Sequence, residues 1–191
     1  MTSRGAVVAA AAALLVAVLG ALVMLAVPRW LGDPAATTAG TPDAAAAVAG
    51  PSRTIKARLF YVSEDGTRLT GVEREVPFAE GLEQAREIIT AQIAPAAEPL
   101  VSAVPPGTTL RAIFMTDRGD AYVDLSREAA EAHGGGTLNE MLTIYTIVHA
   151  LTVNLPAVEA VQILIEGREV PTLAGHVDLR QPLVGNLALV E

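Results

Sequence analysis

The chain contains no cysteine. That excludes disulfides, thiol catalysis, cysteine zinc sites and a lipid anchor built on a modified cysteine. Outside the cytoplasm, such a domain takes its stability from its core alone. Lysine is nearly missing: among 13 basic residues only Lys56 is not an arginine. Aromatic residues are few, with one Trp, three Tyr and three Phe. Positive charge is outweighed by 21 acidic residues, which leaves a net charge of -8. An acidic domain repels phosphate backbones, so nucleic acid is not an expected partner. The arginine-for-lysine bias with abundant Ala and Val has the look of a GC-rich bacterial genome.

What is present begins with a run free of charge, Ala6 to Val27. As a helix it spans roughly 33 Å, slightly more than the hydrocarbon core of a bilayer. Arg4 and the α-amino group precede it, and Arg29 and Trp30 follow as interfacial anchors. Residues 1–30 are therefore predicted to be one transmembrane signal anchor, with its amino end in the cytoplasm. A cleaved signal peptide fits less well: its apolar core is usually about 7–15 residues long, and Pro28 crowds any cut after Val27. Residues 31–52 are Ala, Thr, Gly and Pro without amphipathic period, a flexible linker reaching about 25 Å on average. Arg4, Arg29, Asp33 and Asp43 cancel, so the whole net charge falls on residues 53–191.

Those residues are long enough for one domain. Thr54 to Val62 alternates Ile55, Ala57, Leu59 and Tyr61 with polar positions, the period of a half-buried strand. An Asp65-Gly66 turn and Leu69 to Val76 complete a hairpin. Gly81 to Ala94 changes to helical period, with Leu82, Ala85, Ile88, Ile89 and Ile93 on one face, and Pro95 stops it. Thr109 to Thr116 and Asp120 to Leu125 form a second hairpin, and Ser126 starts a short helical turn. Thr137 and Glu140 have the spacing of a capping box and open a strongly apolar helix running to about Val153. Glu159 to Glu166 is a strand with Val161, Ile163 and Ile165 inward and Gln162 outward, and Arg168 to Leu173 pairs back. The tail, from Ala174 to Leu189, has little regular pattern. The order β-β-α-β-β-α-β-β predicts an α+β, two-layer sandwich. Its sheet is expected to be mainly antiparallel, with two main helices on one face, behind the one transmembrane helix.

Candidate chemistry is sparse. The histidines, His133, His149 and His176, make no H-E-x-x-H. His176 and Asp178, two apart, would share a face of an extended segment, but two ligands are too few for a metal site. They remain weak metal candidates and the starting point for a metal-assisted hydrolase. His149 sits among Ile147, Val148 and Leu151 and reads as a packed helix residue. Ser63, Ser102 and Ser126 lack a G-x-S-x-G setting. Glu73 with Glu75, and Asp117 with Asp120, read as solvated faces. Gly134 to Gly136 precede a helix but lack the spacing of a phosphate loop. No catalytic residue, cofactor or metal is expected.

Several segments taken together resemble one family. They are LFYVSEDG (59–66), VSAVPPGTTLRAIF (101–114), GDAYVDLS (119–126) and IYTIVHALTVNLPAVEAVQILIEGREVPTLAGHVDL (144–179), with Pro182 after them. In order and without large gaps they are similar to the GerMN domain, named after a spore germination and sporulation protein. The resemblance covers nearly all of residues 54–183. It implies a compact α/β sandwich related to ring-building domains of sporulation envelope channels. It also implies a signal or membrane anchor, a linker, and a domain outside the cytoplasm. It implies no enzyme activity and no catalytic residues. The expected function is therefore a non-enzymatic, single-pass anchored assembly or interaction module of the bacterial cell envelope. Its expected partner is another envelope protein or a second copy of itself. The alternative is a small-ligand or cell-wall glycan binding module, which exposed tyrosines would favour.

Overall fold

The computed structural model describes residues 53–191; the expected anchor (1–30) and linker (31–52) lie outside the described residues. Among the described residues no helix is long and apolar enough to cross a membrane. The elements are β1 (Thr54–Val62), β2 (Leu69–Pro77), α1 (Leu82–Ile93), β3 (Leu110–Met115), β4 (Asp120–Leu125) and the single-turn α2 (Glu128–Glu131). They continue with α3 (Thr137–Thr152), β5 (Ala160–Ile165), β6 (Arg168–Glu169), β7 (Leu183–Val184) and a 3-10 turn, Leu187–Leu189. The expected α+β order is present. The return strand after Gly167 is only two residues long, and the tail adds β7.

The strands form two sheets, not one. β1 and β2 are an antiparallel hairpin in register from Thr54 with Pro77 to Val62 with Leu69. The second sheet has the order β3-β4-β5-β6, with β7 also on β5. Its central pair, β4 and β5, is parallel, from Asp120 with Ala160 to Leu125 with Ile165. The pairing is mainly antiparallel, as expected, β4 with β5 being the one parallel pair of strands among the described residues; what is corrected is the expectation of a single sheet. A parallel pair needs a crossover, and α2 and α3 provide it. The helices are likewise not confined to one face of one sheet. α1 touches β1, β2 and β3, α3 touches β1, β5 and β7, and the helices pack on each other. Sharing α3 between sheets explains why its residues from Leu142 to Leu151 are buried, Tyr145 alone being only half-buried.

Side-chain amides cover part of the outer edge of β1. The Arg58 N–H donates to Asn154 Oδ1 (2.7 Å), and Asn154 Nδ2 donates to the Arg58 carbonyl (2.8 Å). Gln92 does the same for Phe60, with both bonds at 2.8 Å. The Val62 N–H meets the Val101 carbonyl at 2.9 Å. Every second peptide group along the outer edge of β1, from Arg58 to Val62, is thus occupied without a neighbouring strand. An edge closed in this way cannot template pairing with another chain.

The core is continuous through Ala57, Leu59, Val76, Ile88, Ile89, Val123, Ile144, Ile147, Leu151, Val161 and Ile163. A smaller cluster joins Phe60, Leu69 and Leu142. Two expectations fail locally. Gln162 is buried, and its amide donates to the Leu179 carbonyl, so β5 is covered on both sides. The capping box does not form: Gly136 occupies the N-cap with φ 88°, and no side chain caps the helix. The glycines bring the chain into the helix at Thr137 itself, one residue too late for its hydroxyl to act as the cap.

Candidate functional site

Glu140, released from capping, is completely buried in the first turn of α3. Its Oε1 accepts the backbone N–H groups of Leu173 (2.9 Å) and Ala174 (2.8 Å). Its Oε2 accepts the His176 N–H (2.7 Å) and faces His176 Nδ1 at 3.0 Å. One carboxylate thereby organises the segment between β6 and β7, which has no secondary structure of its own. Burial pushes the Glu140 carboxyl up, but the backbone N–H donors of Ala174 and His176 and the His176 ring outweigh it and hold the group below its usual value. A carboxylate that accepts several N–H bonds is stabilised in its charged form.

His176 therefore meets Glu140 rather than Asp178. Asp178 is engaged by Arg180, whose Nε and Nη2 donate at 2.9 and 2.7 Å and whose N–H donates at 3.0 Å. These bonds hold the exposed Asp178 carboxyl down at about 2. The two weak metal candidates are thus committed to different partners. Among the described residues no group of three His, Cys, Asp or Glu is placed to hold a metal ion.

The possible nucleophiles are also engaged. The Ser63 hydroxyl donates to Asp65 (2.7 Å), that of Ser102 to the Val104 carbonyl (3.3 Å), and Ser126 Oγ accepts the Thr109 N–H (3.0 Å). None is bonded to a histidine. Glu73 pairs with Lys56 at 3.3 Å, both exposed. Arg111 bridges Asp124 and Glu166, and Asp124 accepts the Gly167 N–H (2.7 Å). That network fixes the Glu166-Gly167 turn, whose residues both have positive φ, 52° and 75°, as a tight hairpin turn requires. The tyrosines do not form an exposed group: Tyr61 is buried, and Tyr122 and Tyr145 are half-buried.

His149 is fully buried, as its neighbours in the sequence imply. Its Nε2 accepts the Asn186 N–H at 3.0 Å, and its Nδ1 has no partner. Burial pushes its imidazole below the usual histidine value. Among the described residues the one large aromatic left outside is Phe114 on β3, 56% exposed and directly opposite Tyr122. β3 is also the end strand of its sheet.

The fold defines a small α+β domain in which Glu140, Asp178, Arg111 and the candidate serines are bonded to other parts of the chain, while His149 Nδ1 and Thr146 Oγ1 are buried without a partner. The chain belongs to the Germane family, described as sporulation and spore germination, whose model matches residues 58–171. Solved structures share the fold. A candidate lipoprotein from Clostridium perfringens is 22% identical, with 69% of this chain and 87% of that chain covered and a TM-score of 0.51. The tandem GerMN domains of the sporulation protein GerM from Bacillus subtilis are 18% identical, with 69% of this chain covered and a TM-score of 0.53. There the match spans 46% of the tandem chain. The first GerMN domain of that protein is 16% identical, with 70% and 98% covered and a TM-score of 0.51. No curated protein matches the chain.

Proposed function

We propose that this protein is a non-enzymatic assembly module of the bacterial cell envelope. One N-terminal helix holds it in the membrane, and residues 53–191 stand on the extracytoplasmic side. Its partner is another envelope protein or a second copy of the chain. The observation that carries this reading is the contrast between its strand edges. β1 is closed from Arg58 to Val62 by Asn154, Gln92 and Val101, while the outer edge of β3 has no strand partner among the described residues and β3 presents Phe114 beside Tyr122. An open edge with an aromatic anchor is suited to strand addition. The engaged state of Ser63, Ser102, Ser126 and Asp178 supports a role without catalysis. A Germane family membership and a sporulation protein among the relatives of like fold support the envelope setting.

The test is crosslinking in the native envelope with a photoreactive residue at position 114, and a second at exposed Glu75 as control. A discrete adduct from 114 and none from 75 is expected. Phe114→Lys should remove the partner in co-purification while leaving the melting temperature within a few degrees. Crosslinks of equal yield from both positions, or an unchanged partner in Phe114→Lys, would remove the β3 edge from the proposal.

A further inference from the structure

Residues 183–191 form a strap joining the two sheets. Leu183 and Val184 pair with Val161 and Ala160 on β5. The chain then passes over α3 at Gly185, where an added Cβ would lie 3.1 Å from Thr152 Oγ1 and 3.7 Å from His149 Cδ2. At its far end Val190 bridges Leu69 of β2, the Glu191 N–H meets the Leu69 carbonyl (3.0 Å), and Thr70 donates to the Glu191 carboxylate (2.6 Å). Leu187, midway, is 65% exposed, so the strap is shallowly seated. Between its ends, one hydrogen bond ties it to the body among the described residues: Asn186 N–H to His149 Nε2.

A ring nitrogen that accepts carries no proton, so neutral His149 is protonated on Nδ1. That atom is buried without a partner. The rings of Phe60 and Tyr145 lie 5.2 and 5.5 Å away, centroid to centroid. Tyr145, whose ring is the one 5.5 Å away, lies on the same helix, and on β1 the Arg58 guanidinium sits over the Phe60 ring, 5.9 Å from its centroid. On the strap itself, Glu191 is held on Thr70. No ion pair reaches His149 among the described residues. A second proton can enter only at Nε2. The imidazolium then offers donors alone, and the Asn186 N–H would face another N–H.

We propose that His149 is a pH-operated latch: a proton taken from solvent onto Nε2 expels the Asn186 N–H and frees the strap from Gly185 to Glu191. Release uncovers the cluster of Phe60, Leu69 and Leu142, against which Val190 packs. Burial favours neutral His149 in the closed state. The open state takes a proton at the ordinary histidine value of about 6.5. The folded value is lowered, so the latch is fully held above that pH and weakens as pH falls below it. Strap opening should rise between about pH 7.5 and 5.5, by roughly tenfold at most, the limit for one proton taken up by the open state alone.

Amide hydrogen exchange on the full chain at pH 7.5 and 5.5, normalised to intrinsic rates, tests this. The Asn186 and Glu191 amides, whose N–H groups bond to the body, should lose protection, by roughly tenfold at most, while α3 and β5 keep theirs. His149→Gln supplies an acceptor oxygen close to Nε2 that does not titrate, so its strap should be equally protected at both values. Nitrogen-15 spectra of the wild-type imidazole should place the proton on Nδ1 at pH 7.5. Equal strap protection in the wild type at both pH values would overturn the latch. So would the same loss in His149→Gln, or a proton on Nε2 at pH 7.5. If His149→Gln does not fold, the wild-type exchange and spectra decide the matter.

Discussion

At the scale of single residues, Glu140 carries more of the fold than its exposed acidic counterparts. Glu140→Gln keeps the shape but replaces one acceptor oxygen with an NH2 that faces N–H donors. Breaking charge-assisted bonds and stranding buried N–H groups should cost about 3 kcal/mol in denaturant unfolding. His176→Ala removes only the ring contact and leaves the backbone N–H in place, so it should cost about 1 kcal/mol. The Glu140 carboxyl is held below its usual value, so its stabilisation is present above about pH 4.3 and is lost as pH falls through the folded value. Glu140→Gln should flatten the acid side of the stability curve, and His176→Ala should not flatten it as far. A chelator should leave the wild-type melting temperature unchanged. Stoichiometric metal that is lost on His176→Ala would instead make His176 a ligand. The Thr137 and Glu140 spacing was legible in the sequence, but its use was not. The donors to Glu140 lie more than thirty residues further on, where no local pattern points back.

At the scale of elements, period told strand from helix where one face meets the core. It located β1, β2, α1, β3, β4, α3 and β5 within a few residues. It misread burial where both faces are covered, because alternation then no longer marks an outer side. β5 is the case in point. Ile163 and Gln162 point opposite ways, and both are buried. Ile163→Ala should cost roughly 2–5 kcal/mol, as large-to-small core changes do. Gln162→Ala loses the bond to the Leu179 carbonyl and leaves that acceptor buried, so it should cost about 1–3 kcal/mol. Paired urea titrations would read both, and a negligible loss at Gln162 would mean that water replaces its amide. The parallel pairing of β4 and β5 was equally hidden. A chain with a helix between two strands can close either way, and packing of α3 against both sheets selects one.

At the scale of the whole molecule, composition and family resemblance reached furthest. The net charge spoke against nucleic acid, the absence of cysteine removed thiol chemistry, and the family match agrees with the segments that suggested the resemblance. The proposed anchor makes a separate claim. The mature protein should keep its original N-terminus and stay in the membrane fraction after carbonate washing. A soluble form beginning near residue 30 would instead mean that the segment is a cleaved signal.

The amides that close β1 also set a timetable. Gln92 follows Phe60 by 32 positions, and Asn154 follows Arg58 by 96. A chain leaving the ribosome or a translocation pore presents its N-terminal part first. The first hairpin therefore emerges with a bare flank, gains cover from Gln92 on α1 and then from Val101, and waits for Asn154, just past α3, for the remainder. During that interval the nascent segment is open to pairing with whatever strand it meets. A stalled chain ending before Asn154 should be sticky where the finished one is inert, and a chaperone binding the newborn protein has its natural target there.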